Sequence, residues 1–401
     1  MIRIGMLTSG GDCQALNAAM RGVAKGLFNA GKEVELFGFL DGYKGLIYGK
    51  YKMLSPSDFS GILTKGGTIL GSSRMPFKNM RDPDENGLDK VEAMKHNYYK
   101  LSLDCLVILG GNGTHKTANL LREEGLNVVT LPKTIDNDLP VTDHCPGYGS
   151  AAKYIAASLK EVIRDNASFG AKKPTVCIVE IMGRNAGWLT AAAALAKGDD
   201  CEGCDAIYLP EKVFDIDKFV ADVKELAAKK SSVVIAVSEG VKVADGRYVC
   251  EIGREVAVDA FGHKQMSGTA VMLADKIAAE TGLKTRAIEF STLQRAATHL
   301  ASLTDINEAF QVGHDAVMAA EEGKTGMMIT LDRNGDDPYQ CGTSAYDIHA
   351  IANVERNVPD EWITAVGKGL TEGYEKYARP LIMGELQPLF VNGLPRHLVR
   401  K

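Results

Sequence analysis

Two carboxylates stand two positions apart in the segment Pro132-Lys133-Thr134-Ile135-Asp136-Asn137-Asp138, directly after an apolar run typical of a buried strand. A carboxylate can accept a proton from a reacting hydroxyl group, and a second one can bind a metal ion that faces phosphate. The segment therefore indicates a general base combined with a metal site. The alternative is a polar strand-end loop with an Asx turn, which does not need Asp136, Asp138, Thr134 and Lys133 together.

Two glycine-bearing segments also follow apolar runs, and each precedes a helical pattern. They are Ser9-Gly10-Gly11-Asp12 and Gly110-Gly111-Asn112-Gly113-Thr114. Glycine lets the backbone approach an anion closely, and free amides at a helix start attract phosphate. Neither segment is a Walker loop or a GxGxxG dinucleotide fingerprint. Each by itself also fits an ordinary strand–helix turn.

The elements that must position these loops alternate between strand and helix. Strands are predicted at residues 2–7, 33–40, 104–109, 127–131, 174–180 and 233–237, and helices at residues 14–30, 115–124, 186–196 and 305–322. In the last helix, Asp305 and Glu308 are predicted to cap the N-terminus. This alternation predicts an α/β fold with a parallel sheet, in which ligands bind beyond the carboxyl ends of the strands. Each loop named above lies at such an end.

Composition narrows the function classes. The chain has 401 residues, of which 45% are hydrophobic and 24% charged, and its net charge is −5. We therefore expect two or three domains and no nucleic-acid or acidic-membrane partner. Apolar runs long enough to span a membrane and a signal-peptide pattern are both missing from the sequence. The eight cysteines are expected to be reduced thiols of a cytoplasmic protein, and the Cys201/Cys204 pair lacks the second pair that a zinc site would need.

Taken together, the motifs resemble the phosphofructokinase A family. The matching segments, in family order, are 7–12, 17–21, 41–45, 65–74, 110–114, 132–138, 182–184, 239, 286 and 293–295. The resemblance implies two Rossmann-like parallel-sheet lobes with helices on both faces, plus a C-terminal helical extension. The implied division is a phosphate-donor lobe at 1–140 to which residues 300–340 return, a sugar-phosphate lobe at 141–300, and an extension at 341–401.

The resemblance also implies roles for individual residues. Asp136 would be the base that takes the proton from the 1-hydroxyl of fructose 6-phosphate, with Thr134, Asp138 and Arg184 completing the catalytic set. Donor-binding residues would be Gly11, Arg74, Gly111, Asn112, Gly113, Thr114 and Lys133. Residues for the sugar phosphate would be Thr134, Asp136, Met182, Gly183, Arg184, Glu239, Arg286, Thr292 and Arg295. The expected cofactor is Mg²⁺, with Asn112, Asp136 and Asp138 as ligands.

Several positions depart from the family pattern. Asn112 stands where an acidic residue is usual, and an amide oxygen is a weaker ligand for magnesium than a carboxylate. Thr292 replaces a phosphate-binding histidine, and Ala296 and Ala297 replace two glycines. Thr175 replaces an arginine that would come from a neighbouring subunit, although Lys172 and Lys173 lie nearby in the sequence. These departures put the sugar-phosphate pocket in question.

Two residues predict opposite phosphate donors. An aspartate at position 113 would crowd and repel a nucleotide, so Gly113 favours ATP, whereas Lys133 is typical of members that use pyrophosphate. We expect ATP, because removing a steric block is the stricter requirement. The alternatives are a reversible pyrophosphate-dependent enzyme, which could also accept sedoheptulose 7-phosphate, and a regulatory sugar-phosphate-binding subunit without catalysis.

Regulation and assembly rest on the same resemblance. Arg21 and Lys25 occupy positions that bind effector phosphates in regulated members, and Lys230 matches another position partly. Their alternative is a solvated helix face with ordinary charges. Segments 358–362 and 377–384 resemble the tails of longer members. The family implies a homodimer or a homotetramer.

Overall fold

The computed structural model describes residues 1–168, 172–252, 267–351 and 354–396. The strands in these ranges are β1 Ile2–Thr8, β2 Val34–Phe39, β3 Tyr51–Leu54, β4 Cys105–Gly110, β5 Val128–Pro132, β6 Thr175–Ile181, β7 Ala206–Tyr208, β8 Ser232–Ser238, β9 Lys284–Glu289, β10 Met327–Asp336, β11 Tyr339–Asp347, β12 Phe390–Val391 and β13 Leu394–Pro395. The α-helices are α1 Leu16–Asn29, α2 Tyr43–Tyr48, α3 Lys90–Lys100, α4 Asn112–Glu123, α5 Tyr148–Ala167, α6 Trp188–Ala191, α7 Ile216–Lys229, α8 Thr269–Thr281, α9 Leu293–Ala296, α10 Leu303–Glu321 and α11 Glu372–Ala378.

The first lobe is built on a seven-stranded sheet in the order β11-β10-β5-β4-β1-β2-β3. Its five inner strands are parallel, and the edge strands β3 and β11 are antiparallel to their neighbours. Strand β4 and strand β5 are buried along their whole length, as continuous apolar runs predict for a sheet covered on both faces. Strand β11 belongs to this sheet, so the expected boundary at residue 341 falls inside a strand.

The second lobe is built on a four-stranded parallel sheet in the order β7-β8-β6-β9. Helices α7 and α8 lie against it through apolar side chains such as Phe219, Val223, Leu273 and Ile277. One largely parallel sheet and one fully parallel sheet, both flanked by helices, confirm the predicted α/β class. None of the helices in the described ranges is long and apolar enough to cross a membrane.

Helices α1 and α10 cross at unusually short range in the first lobe. A Cβ added to Gly22 would lie 2.0 Å from the carbonyl oxygen of Phe310, and one added to Gly313 would lie 2.0 Å from that of Ala19. Only glycine permits this backbone approach. The crossing fixes α1 and the loop between β1 and α1.

Two local predictions differ from the structure. Helix α10 is capped by Ser302, whose hydroxyl accepts from the Asp305 amide at 3.4 Å, and not by Asp305. The Asp305 carboxylate instead accepts from the amide of Gly147 at 2.7 Å. The predicted helix at 186–196 is the short α6 followed by a 3-10 turn at Ala192–Ala196. This alanine run is almost wholly buried, so it lacks the amphipathic pattern that supports a longer surface helix.

After β11 the chain passes back over both lobes as 3-10 turns, helix α11 and the hairpin β12–β13. Its aromatic residues pack edge-on or tilted against Trp188, with ring centroids 6.0 Å away for Trp362 and 5.3 Å away for Tyr377. The Tyr374 and Tyr148 hydroxyl groups lie 2.6 Å apart. This aromatic cluster anchors the C-terminal segment to helices of the earlier chain.

Candidate active site

The loop that follows β5 holds the two predicted catalytic carboxylates. The Asp136 amide donates to the Thr134 hydroxyl at 3.1 Å, which tightens the loop. Asn137 has a φ of 55°, a left-handed conformation that asparagine tolerates better than most residues. Its side chain is buried, accepts from the Cys145 amide at 2.9 Å and donates to the Tyr377 hydroxyl at 2.8 Å. Asn137 therefore holds the loop in shape while its two acidic neighbours face a cavity.

This cavity has a volume of about 410 Å³ and lies at the carboxyl ends of strands β1, β4, β5 and β6. The predicted residues that line it are Gly11, Arg74, Gly111, Asn112, Gly113, Thr114, Lys133, Thr134, Asp136, Asp138, Met182 and Arg295. Its wall also includes Met75, Pro76 and Ile135, whose residue types carry no chemical signal that would select them from the sequence. The structure thus brings the three predicted loops into one site.

The acidity of Asp136 is governed by opposing effects. Burial raises its pKa, while the positive charges of Lys133, Arg184 and Arg74 lower it. For Asp138, burial again raises the pKa, and the negative charge of Asp136 raises it further. A carboxylate whose proton affinity is raised in this way is suited to accept a proton from a hydroxyl group.

Glu355 also belongs to this environment, although no sequence motif points to it. Its carboxylate accepts from the Asn185 side chain at 3.4 Å, and its negative charge raises the pKa of both Asp136 and Asp138. Glu355 follows the catalytic loop by more than 200 positions in the sequence, so no local pattern links the two.

Lys133 and two arginines converge on the glycine turn after β1. The Lys133 ammonium group donates to the Gly11 carbonyl, and burial lowers the pKa of this lysine. A Cβ placed on Gly11 would lie 3.6 Å from an Arg295 guanidinium nitrogen and 3.8 Å from one of Arg74. Three cations around a turn that opens into the cavity form a binding site for anionic groups.

The second glycine turn begins helix α4. Asn112 is the first helical residue, so the free amides of the first turn lie at the cavity wall. A Cβ added to Gly110 would lie 2.3 Å from the Thr114 hydroxyl oxygen, whereas one added to Gly113 would meet no atom within 4 Å. Gly110 is thus required for packing, and Gly113 borders open space.

The oxygen atoms of Asn112, Asp136 and Asp138 form a suitable set of ligands for a magnesium ion. The side-chain oxygen Oδ1 of Asn112 is buried and has no hydrogen-bond partner, and the carboxylates of Asp136 and Asp138 line the same cavity. Within the described ranges, no group of three or more His, Cys, Asp or Glu side chains could hold a metal ion. Magnesium is commonly held by only one or two carboxylates together with phosphate oxygens of a substrate, so the donor set is suitable.

The second lobe contributes the loops after β6 and β8. The Gly183 amide donates to the Glu239 carboxylate at 3.4 Å, and the Ser238 hydroxyl donates to the Gly183 carbonyl at 2.6 Å. A Cβ on Gly240 would lie 2.1 Å from the Arg184 carbonyl oxygen, so the two loops are in direct contact. Burial raises the pKa of Glu239 to about 8, and nearby Glu180 adds to this.

The predicted phosphate arginines lie in different places. Arg295 lines the main cavity next to the first glycine turn. Arg286 lies outside it, forms an ion pair with Asp165 at 2.8 Å and lines a separate cavity of about 250 Å³. Thr292 is exposed and does not line the main cavity. Within one chain, the residues predicted to bind the sugar phosphate therefore do not all line the same cavity.

The three predicted effector positions and the Cys201/Cys204 pair lie away from the main cavity. Arg21 donates to the Phe59 carbonyl, and Lys25 is exposed one turn further along α1. Lys230 forms ion pairs with Glu202 and Asp205 at 2.7 and 2.8 Å. The Cys201 and Cys204 thiols are free, and burial raises the pKa of Cys204, the opposite of what an activated thiol requires.

Comparison with known proteins places this chain in one enzyme family. The family model described as phosphofructokinase matches residues 3–320. A pyrophosphate–fructose 6-phosphate 1-phosphotransferase from Methylococcus capsulatus is 42% identical over 68% of this chain, although the match spans only 64% of that relative's length. An ATP-dependent 6-phosphofructokinase from Spirochaeta thermophila is 41% identical over 83% of this chain and 87% of its own length.

Solved structures match over nearly the whole chain. The pyrophosphate-dependent phosphofructokinase from Nitrosospira multiformis has a TM-score of 0.87 and 31% identity, covering 99% of this chain and 95% of its own. The corresponding enzyme from Marinobacter aquaeolei has a TM-score of 0.86 and 29% identity, covering 100% and 98%. The resemblance inferred from the sequence motifs is thereby confirmed.

Proposed function

Because the chain belongs to the phosphofructokinase family, we propose that it transfers a phosphoryl group to the 1-hydroxyl of fructose 6-phosphate, giving fructose 1,6-bisphosphate. The observation that carries this proposal is the meeting of three loops in one cavity. Acidic side chains, cations and helix-start amides face each other there. Phosphoryl transfer depends mainly on positioning and on electrostatic stabilisation, and these groups supply both.

In the proposed mechanism, Asp136 accepts the proton of the sugar hydroxyl group as it attacks. Thr134 orients the transferred group, and Arg184 stabilises the charge that develops on it. Asn112 and Asp138 would hold Mg²⁺ directly and Asp136 only through water, and the ion when bound would supply neutralisation of the donor's phosphate charge. Raised proton affinity at Asp136 is compatible with its role as the base.

Met182, Gly183, Arg184 and Glu239 would hold the sugar, because they lie on the second-lobe side of the site. Arg295 supplies a cation from within the same chain. Arg286 lines a separate cavity and not this one, so we propose that it serves the site of a neighbouring subunit in a homodimer or homotetramer. Thr292 would have a role only at that same interface. Cytoplasmic function agrees with the free state of all eight thiols.

ATP remains the first candidate for the donor. A Cβ at position 113 would meet no surrounding side chain or distant backbone within 4 Å, and this open space supports room for the α-phosphate of a nucleotide. Gly11, Arg74, Gly111 and Thr114 would contact the donor's phosphates.

Pyrophosphate is the second candidate, and Lys133 favours it. Its buried ammonium group lies at the first glycine turn, where it would neutralise a short inorganic donor. The names of several relatives, including the one from Methylococcus capsulatus, also refer to pyrophosphate. A pyrophosphate-dependent reaction would be reversible, and sedoheptulose 7-phosphate is then a second acceptor to test.

The test is the initial velocity with fructose 6-phosphate and magnesium, with ATP and pyrophosphate compared at equal concentration. Whichever donor supports turnover, Asp136→Asn should lower kcat by about 10²–10⁴-fold, the usual range for loss of a general base. A variant with full turnover would refute the mechanism. Inactivity of the wild-type chain with both donors would favour a regulatory sugar-phosphate-binding subunit.

A further inference from the structure

Residues 354–358, here called the strap, run between the catalytic loops of the two lobes. The strap lies beyond residue 320, where the match to the family model ends. At its far end, the Val358 amide donates to the Glu211 carboxylate at 3.0 Å, which also accepts from the Gly187 amide at 2.7 Å. The strap is therefore fixed to the second lobe next to the loop that carries Arg184.

The backbone of Arg356 connects the two lobes directly. Its amide donates to the carbonyl of Asp138 at 2.8 Å, in the loop that carries the base. Its carbonyl accepts from the indole N–H of Trp188 at 2.8 Å, four positions after Arg184. The backbone amide and carbonyl of Arg356 thus connect the loop that carries Asp136 with the residues that follow Arg184.

The Arg356 side chain reinforces this connection. Its guanidinium group donates to the carbonyls of Thr142 and Asp143 at 2.8 and 2.5 Å, and to the Tyr377 hydroxyl at 3.1 Å. It also lies 4.5 Å from the ring centroid of Trp188. The same Tyr377 hydroxyl accepts from Asn137. The guanidinium group thus holds the segment that follows the base loop, and through Tyr377 it is linked to Asn137 in that loop, while its other side lies against the first residue of α6.

We propose that Arg356 is a positioning residue that sets the distance and orientation between Asp136 and Arg184, so that it governs the phosphoryl-transfer step more than substrate binding. This inference rests on the function proposed above. Groups that must meet in the transition state are sensitive to displacement, since a shift of about 1 Å can cost about 100-fold in rate. Lysine could not replace the arginine fully, because an ammonium group lacks the planar guanidinium fork that stacks on an indole while it donates to two carbonyls and a hydroxyl group.

The experiment compares Arg356→Gln and Arg356→Lys with a matched control, Arg379→Gln. Arg379 belongs to the same C-terminal segment and donates to the Leu195 carbonyl at 3.0 Å, away from the base loop. We expect Arg356→Gln to lower kcat about 100-fold while the KM values for sugar phosphate and donor change by less than about threefold. Arg356→Lys should recover part of the lost kcat. Arg379→Gln should keep its kcat and lose only thermal stability.

Arg356→Gln with a kcat near the wild-type value, or with a loss confined to KM, would overturn the positioning role. If that variant does not fold, Tyr377→Phe removes one contact of both Arg356 and Asn137 while keeping the ring. It should lower kcat at unchanged KM, and an unchanged kcat would equally overturn the proposal. Wild-type protein assayed alongside distinguishes a failure of the proposed function from a failure of the role proposed for Arg356. An inactive wild type contradicts the proposed function, whereas an active wild type leaves only the role of Arg356 in question.

Discussion

Gly113→Asp should make the chain discriminate against ATP. The Cβ of residue 113 would meet no atom within 4 Å, so the substitution should not disturb the fold. The new carboxylate would extend into the space left for a nucleotide. At about 5 Å from a phosphate charge, with an effective dielectric constant of about 20, the repulsion is about 3 kcal/mol. That energy corresponds to about a 200-fold loss in kcat/KM for ATP.

The assay measures kcat/KM for ATP and for pyrophosphate, together with the thermal unfolding temperature. Gly113→Asn is the matched control, because it has the same size without the charge and so isolates the steric contribution. Pyrophosphate has no group beyond its two phosphates, so its kcat/KM should fall much less than that of ATP. Equal losses with both donors, or an unchanged value with ATP, would refute the assignment of this space to the nucleotide.

Three other changes follow from the geometry. Asn112→Asp should lower the magnesium concentration for half-maximal activity by about tenfold, since a carboxylate replaces an unpartnered amide oxygen. A magnesium titration of the activity measures this concentration, and a magnesium-dependent rise in the unfolding temperature measures binding directly. Glu239→Gln should raise the unfolding temperature at pH 9 but not at pH 4. Burial raises the Glu239 pKa from 4.5 to about 8, so the folded wild type loses stability as pH rises through that window. Gly22→Ala should destabilise the fold by about 1–3 kcal/mol or more, because its Cβ would lie 2.0 Å from the Phe310 carbonyl oxygen, and urea unfolding measures the loss.

The catalytic loop was predictable because its signal is local. Asp136, Asp138, Thr134 and Lys133 follow one strand within six residues, and the parallel-sheet pattern places that strand end beside the two glycine turns. Asn137 lies between the two carboxylates, but no local signal indicates a structural role for it. Its role in holding the loop became visible only with its distant partner Tyr377.

Contacts between distant segments could not be predicted from the sequence. Arg286 and Arg295 are nine positions apart and were assigned one function, yet they line different cavities because β9 ends between them. Glu355 and Arg356 reach the site from a segment without regular secondary structure, so neither periodicity nor a turn signal pointed to them. The sequence contains these residues, but only packing determines what they touch.

The order of strands in the first sheet constrains how the chain is made. Strand β5 ends at Pro132, but its neighbour β10 begins only at Met327, so this sheet remains incomplete until most of the chain has been synthesised. The second sheet uses only residues 175–289, and its strands all emerge from the ribosome before β10. Domains usually fold during synthesis in order from the N-terminus. Here the later lobe can complete its sheet first, and the lobe that carries Asp136 has an unpaired strand edge until β10 has been synthesised.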